Sequence, residues 1–97
     1  MKSVDLAIVG ATGVVGETVV ELLEKRQLPI NSLHLLASDR TAGTSLMFKG
    51  QPIMVTELKQ FDFSKVQLVI FVANDQVSSE ILPLAQSEGC LTIDNSQ

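Results

Sequence analysis

The chain has 97 residues, 45 % of them hydrophobic, with one cysteine, one histidine and a formal net charge of −4. This length holds one modest domain with a real but small core. The acidic balance argues against nucleic acid or an anionic membrane as partner, because no basic stripe exists to replace counterions.

The first element in chain order is a strand. Val4, Leu6, Ala7, Ile8 and Val9 form a nearly unbroken apolar run closed by Gly10, the pattern of a strand buried on both faces. From Val14 to Arg26 the period becomes helical, with Val15, Val19, Leu22 and Leu23 on one face and Glu17, Glu21 and Glu24 on or beside the other. Leu28-Pro29 ends that helix. Leu33 to Ala37 predicts a second strand with His34 at its start, ending at Ser38. Leu46, Phe48, Ile53 and Val55 alternate around Lys49-Gly50-Gln51-Pro52, which predicts a hairpin or edge strands about that turn. Phe61 and Phe63 are expected as core plugs, and Val66 to Val72 as the next strand. Residues 77 to 88 carry Val77, Ile81, Leu84 and Ala85 at helical spacing, with Pro83 predicting a kink or a restart. Gly89 is a helix stop, and Cys90 to Ile93 the last strand, ending at Asp94-Asn95.

The order is β-α-β, a hairpin excursion, then β-α-β: an α/β fold with a doubly wound, mostly parallel sheet. Such sheets place ligands beyond the carboxyl ends of their strands. The expected site lies at Gly10–Gly16, Ser38–Thr41 and Ala73–Asp75, with Asp94–Ser96 as a fourth exit. The last strand has no following helix to cover it, so the chain reads as the N-terminal part of a longer polypeptide. MKSVDLAIVG lacks a signal peptide's apolar run, and no stretch nears the roughly 18 apolar residues of a membrane helix. A cytoplasmic protein is expected. A lone cysteine far from His34 excludes an internal disulfide and offers no metal cluster.

Gly10-x-x-Gly13-x-x-Gly16 directly follows a strand and opens a helix. Gly10 allows the tight turn, Gly13 clears room for a pyrophosphate, and Gly16 lets the helix approach its strand. N–H groups at residues 12 to 15 would face the phosphates, and Thr12 adds a hydroxyl or caps the helix. The bland alternative is a strand-helix corner without a ligand. The Gly-Lys-Ser/Thr ending of a nucleoside-triphosphate loop is missing. At the second exit, Ser38 and Arg40 suit the 2′-phosphate of NADP, whereas Asp39 would serve the ribose hydroxyls of NAD.

AIVGATGVVGE, LHLLASDRTAG, FDFSKVQLVIF and TIDNS together resemble the N-terminal cofactor domain of the aspartate-semialdehyde dehydrogenase family, over essentially the whole chain. The resemblance implies a Rossmann-like NAD(P)-binding domain over 1–97, with the catalytic and dimerisation domain outside this sequence. It implies an NADP-dependent reductive dephosphorylation of an acyl phosphate to an aldehyde, in amino-acid biosynthesis. In that family a cysteine of the second domain forms a thioester, a histidine is acid/base, and the full-length subunit is usually a dimer or tetramer. By the match, Gly10, Thr12, Gly13 and Val14 line the pyrophosphate. Ser38, Arg40 and Thr41 surround the 2′-phosphate, and Asn95 lies near the nicotinamide ribose. Ala73 belongs to a run, usually Ser-Ala-Gly-Gly, against which the nicotinamide half lies. Here that run reads Val72-Ala73-Asn74-Asp75, closest to a divergent paralogue of the enzyme. The catalytic cysteine and histidine have no counterpart here: Cys90 reads as a buried hydrophobe and His34 as structural or surface. Two functions follow: the cofactor domain of such an oxidoreductase, or an inactive paralogue with a regulatory or protein-interaction role. A stand-alone nucleotide sensor is a third.

Overall fold

The computed structural model describes residues 3–10, 14–26, 29–37, 43–72 and 75–94. Six strands form one sheet: β1 (Val4–Val9), β2 (Ile30–Ala37), β3 (Ser45–Phe48), β4 (Gln51–Glu57), β5 (Leu68–Phe71) and β6 (Leu91–Asp94), with two helices, α1 (Val14–Arg26) and α2 (Asp75–Ser87). The sheet order is β3-β4-β2-β1-β5-β6. All pairings are parallel except the β3–β4 hairpin. The predicted doubly wound, mostly parallel sheet is therefore present, and the hairpin is part of it, because β4 joins β2 in parallel.

Alternation along the central strands divides the core into two layers. Leu6, Ile8, Leu35 and Ala37 pack with Val20 and Leu23 of α1. Ala7, Val9 and Leu36 face the other way, against Ala85 of α2 and Phe63, Val66, Val69, Phe71 and Cys90. The helices thus cover opposite faces, which is why β1 is apolar at successive positions and not at every second one. Phe63 fills the second layer as expected, and Phe61 packs against it.

Several boundaries differ from the sequence reading. The second strand begins at Ile30, so His34 is mid-strand, paired with Ala7. The hairpin loop is only Lys49-Gly50, since Phe48 pairs Gln51 and Met47 pairs Pro52. Both loop residues have positive φ (51° and 80°), as the tight turn matched to strand twist requires. Pro52 is tolerated within β4 because β2 pairs only from Val55 onward, so no ladder bond to β2 is lost there. The fifth strand is shorter than predicted, since Val66 ends a 3-10 turn over Phe63–Lys65. The second helix starts earlier, at Asp75, and runs through Pro83 without a restart. The carbonyl that Pro83 leaves unbonded is that of Ser79, and both residues are exposed, so water can satisfy it. Gly89 (φ 84°) stops α2 as expected: its N–H donates to the Gln86 carbonyl, and the Cys90 N–H to that of Ala85, the paired bonds of a glycine C-cap.

A polar clasp ties β1 and β2 to the segment entering β5, at the amino edge of the sheet. Asp5 Oδ1 accepts from Ser32 Oγ (2.6 Å) and Asn31 Nδ2 (2.8 Å), and Oδ2 accepts from Gln67 Nε2 (3.2 Å). Gln67 Oε1 accepts from the Asp5 N–H. The Ser32, Asn31 and Gln67 hydrogen bonds, in that order, hold the Asp5 carboxyl below its usual range. A carboxyl lowered by folding stabilises the fold above the ordinary carboxylate range and loses that contribution as pH falls through its folded value. Asp5→Asn is accordingly expected to be less stable than the parent at neutral pH, with the deficit shrinking in acid. Urea midpoints of both proteins across that range check this; a deficit constant with pH would show that the charge plays no part.

Candidate functional site at the carboxyl edge

The chain leaves the sheet at Gly10, which has φ 92°, a backbone shape that side chains disfavour. The Gly10 N–H donates to the Leu36 carbonyl and the Val72 N–H to that of Val9, both at 2.9 Å. These bonds close the ladders on either side of β1. From here α1 leads toward β2 and α2 leads from β5 to β6, so strand order reverses between β1 and β5. Such a switch point opens a crevice at the carboxyl edge of the sheet. Both helices start at that edge from opposite faces, so the N–H ends of two helix dipoles favour an anion between them. Gly16 is buried, consistent with the predicted close approach of helix to strand.

Of the predicted cofactor residues, Gly10 stands at the β1 exit and Val14 opens α1. Thr12, Gly13, Ser38, Arg40, Thr41, Ala73 and Asn95 lie outside the described residues. Asp75 is the first residue of α2. Ser78, one turn into that helix, was missed by sequence reasoning. It is 3 % exposed, and among the described residues its hydroxyl has no hydrogen-bond partner. The signal was available: Ser78 and Ala85 are seven apart, so a hydroxyl occupies a position on the apolar stripe of α2.

The two groups excluded from catalysis by sequence are engaged elsewhere. Cys90 is buried just before β6, not within it, and its Sγ donates to the carbonyls of Phe63 (3.2 Å) and Val66 (3.3 Å). Burial, then the nearby Glu88 charge, pushes its pKa up, so it stays a thiol and a poor nucleophile. The His34 Nε2 lies 3.2 Å from Ser32 Oγ, and its ring is 5.1 Å from that of Phe61. Since the Ser32 hydroxyl donates to Asp5, it accepts from Nε2–H. Burial lowers the His34 pKa, opposed by Asp5 and assisted by Lys65. Among the described residues no three His, Cys, Asp or Glu side chains gather as metal ligands, and no helix is long and apolar enough to cross a membrane. A groove of about 290 Å³ between residues 58–63 and Ile81, Leu84, Ser87 and Glu88 flanks the later turns of α2, away from the switch point.

Residues 5–97 match the family model described as "Semialdehyde dehydrogenase, NAD binding domain". The chain belongs to this family. It is 47 % identical over 95 residues to an aspartate-semialdehyde dehydrogenase of Legionella pneumophila, covering 98 % of this chain and 27 % of that protein. To a USG-1 protein homolog of Azotobacter vinelandii it is 46 % identical over 94 residues, covering 97 % and 28 %. Among solved structures, aspartate semialdehyde dehydrogenase II of Vibrio cholerae superposes with a TM-score of 0.96 at 38 % identity, covering 99 % of this chain and 31 % of that one. The Candida albicans enzyme, solved with NADP, shares the fold at 23 % identity and a TM-score of 0.77. The chain thus corresponds to the NAD(P)-binding module of aspartate-semialdehyde dehydrogenase-like oxidoreductases and spans less than a third of the length of these relatives.

Proposed function

We propose that this domain binds NADP, and NAD less well, in the switch-point crevice, as the cofactor module of a reductase acting on an acyl phosphate. The observation that carries the reading is Gly10: a sharp, positive-φ exit from the central strand β1 sits where strand order reverses, at the edge where both helices start, in a chain of this family. The bound dinucleotide would supply hydride. This chain's own groups would bind and orient it: Gly10, Thr12, Gly13 and Val14 at the pyrophosphate, Ser38, Arg40 and Thr41 at the 2′-phosphate, and Ala73 and Asn95 toward the nicotinamide. With the thiol of Cys90 buried and hydrogen-bonded, the thioester-forming cysteine and the acid/base histidine belong to the second domain, as does the principal dimer contact. A cytoplasmic setting suits this chemistry.

An inactive paralogue with a regulatory role is the second reading, favoured by Asn74-Asp75 in place of two glycines. Asp75 is the first residue of α2, and a carboxylate in a run that is otherwise glycine adds negative charge to a segment expected to meet an anionic dinucleotide. Calorimetric titration with NADP and NAD, repeated on Gly13→Asp, tests the proposal. Saturable binding, tighter for NADP and lost in the variant, is the expected result; no binding by the folded wild-type chain favours the second reading.

A further inference from the structure

The β3–β4 hairpin sends its side chains alternately to two faces. Leu46, Phe48, Ile53 and Val55 pack in the α1 layer. The register pairs Ser45 with Met54 and Met47 with Pro52, so Met47 and Met54 share the opposite face as diagonal cross-strand neighbours. Both are open to solvent, at 59 % and 67 % exposure, although a methionine more often fills gaps in a core. The other methionine, Met1, lies outside the described residues.

The single thiol is in the reverse position. A cysteine reacts as its thiolate, so both deprotonation and access govern its oxidation. Cys90 is buried, and its Sγ donates to the carbonyls of Phe63 and Val66. Burial keeps it protonated. A thioether has no proton to lose and needs only an open approach to its sulfur lone pair.

We propose that Met47 and Met54 are the oxidant-modified site of this domain, each taking one oxygen from hydrogen peroxide while Cys90 is left a thiol. The methionine lone pair attacks one peroxide oxygen, so an S–O bond forms and the O–O bond breaks. Sulfur is oxidised to the sulfoxide and the peroxide is reduced. The proton of the transferred hydroxyl goes to the departing oxygen, which leaves as water. Sulfoxides disrupt a core that contains them, but these two turn an outer patch polar and enter neither core layer. Methionine sulfoxide reductases reverse the change, so the hairpin carries a reversible alteration of surface that leaves the fold intact.

Trypsin cuts after Arg40, Lys49, Lys59 and Lys65, so Met47, Met54 and Cys90 leave on separate peptides. The folded chain is treated with hydrogen peroxide at neutral pH, its thiols are blocked, and the digest is weighed by mass spectrometry. The Met47 and Met54 peptides should each gain one oxygen, and the Cys90 peptide none. The thermal midpoint of the oxidised chain should match that of the untreated one. In denaturing urea the thiol is released, and Cys90 should then react first. Cys90 should also stay reduced in the folded double variant Met47→Leu, Met54→Leu, a volume-conserving change, since burial and not competition protects it. Oxidation of Cys90 in either folded chain overturns the proposal, as does resistance of the two methionines in the folded wild type. A midpoint lowered by several degrees on oxidation, or a Cys90 still inert in urea, overturns it too.

Discussion

Phe71→Ala is expected to destabilise the domain by about 3–5 kcal/mol, the usual loss for a fully buried aromatic. Phe71 is wholly inaccessible, within a layer shared by Val9, Leu36, Val69, Ala85 and Cys90. It ends β5 between Val9 of β1 and Asp94 of β6, so a cavity here undermines the floor of the crevice. A domain of this size has on the order of 5–15 kcal/mol in total, so the variant should be partly unfolded at 37 °C. Leu91→Ala is the matched control. Leu91 is 69 % exposed on the edge strand and should change stability by less than about 0.5 kcal/mol. Urea unfolding of the two variants checks the contrast; similar losses would mean that the core is not where the two layers place it.

Gly10→Val carries the second large effect, on fold and binding together. A β-branched residue at φ 92° costs on the order of 1–3 kcal/mol of backbone strain. The alternative is a turn that swings away and breaks the Gly10 N–H bond to Leu36. Either way the helix N–H groups lose their aim, and NADP affinity should fall by at least about tenfold. Gly89→Val makes the comparison: its φ of 84° imposes similar strain, but it closes α2 at the amino edge and should leave affinity unchanged. Calorimetry on both variants decides whether Gly10 matters to the ligand or only to the fold.

The parts of this fold legible in the sequence are those where one pattern governs. The apolar run of β1 and the 3.6-residue period of α1 are undiluted, and their spans coincide with prediction. Where two patterns compete, boundaries moved. Ile30-Asn31-Ser32 looks too polar for a buried strand, yet Asn31 and Ser32 are drawn into β2 by their bonds to Asp5, contacts between residues 26 and 27 positions apart. Gln67 reaches Asp5 across 62 positions, beyond any local pattern. Gln51-Pro52 has turn chemistry, but the Lys49-Gly50 loop suffices and releases both to β4. At the candidate site, the glycine spacing singled out the β1 exit from local sequence, and Gly10 there has the positive φ of a sharp turn. Ser78 went unnoticed because a helical period gives no sign of whether a hydroxyl has a partner. That is a property of packing.

The most direct test of the central claim is to map NADP binding on the amide spectrum of the isotope-labelled domain. The account predicts that the shifts gather at the carboxyl edge, at Gly10, Val72 and the first turn of α2 through Ser78. Asp5, Ser32 and Gln67 at the amino edge should stay still. Shifts confined to the amino edge, or to the groove between residues 58–63 and the later turns of α2, would contradict it and place the ligand away from the switch point.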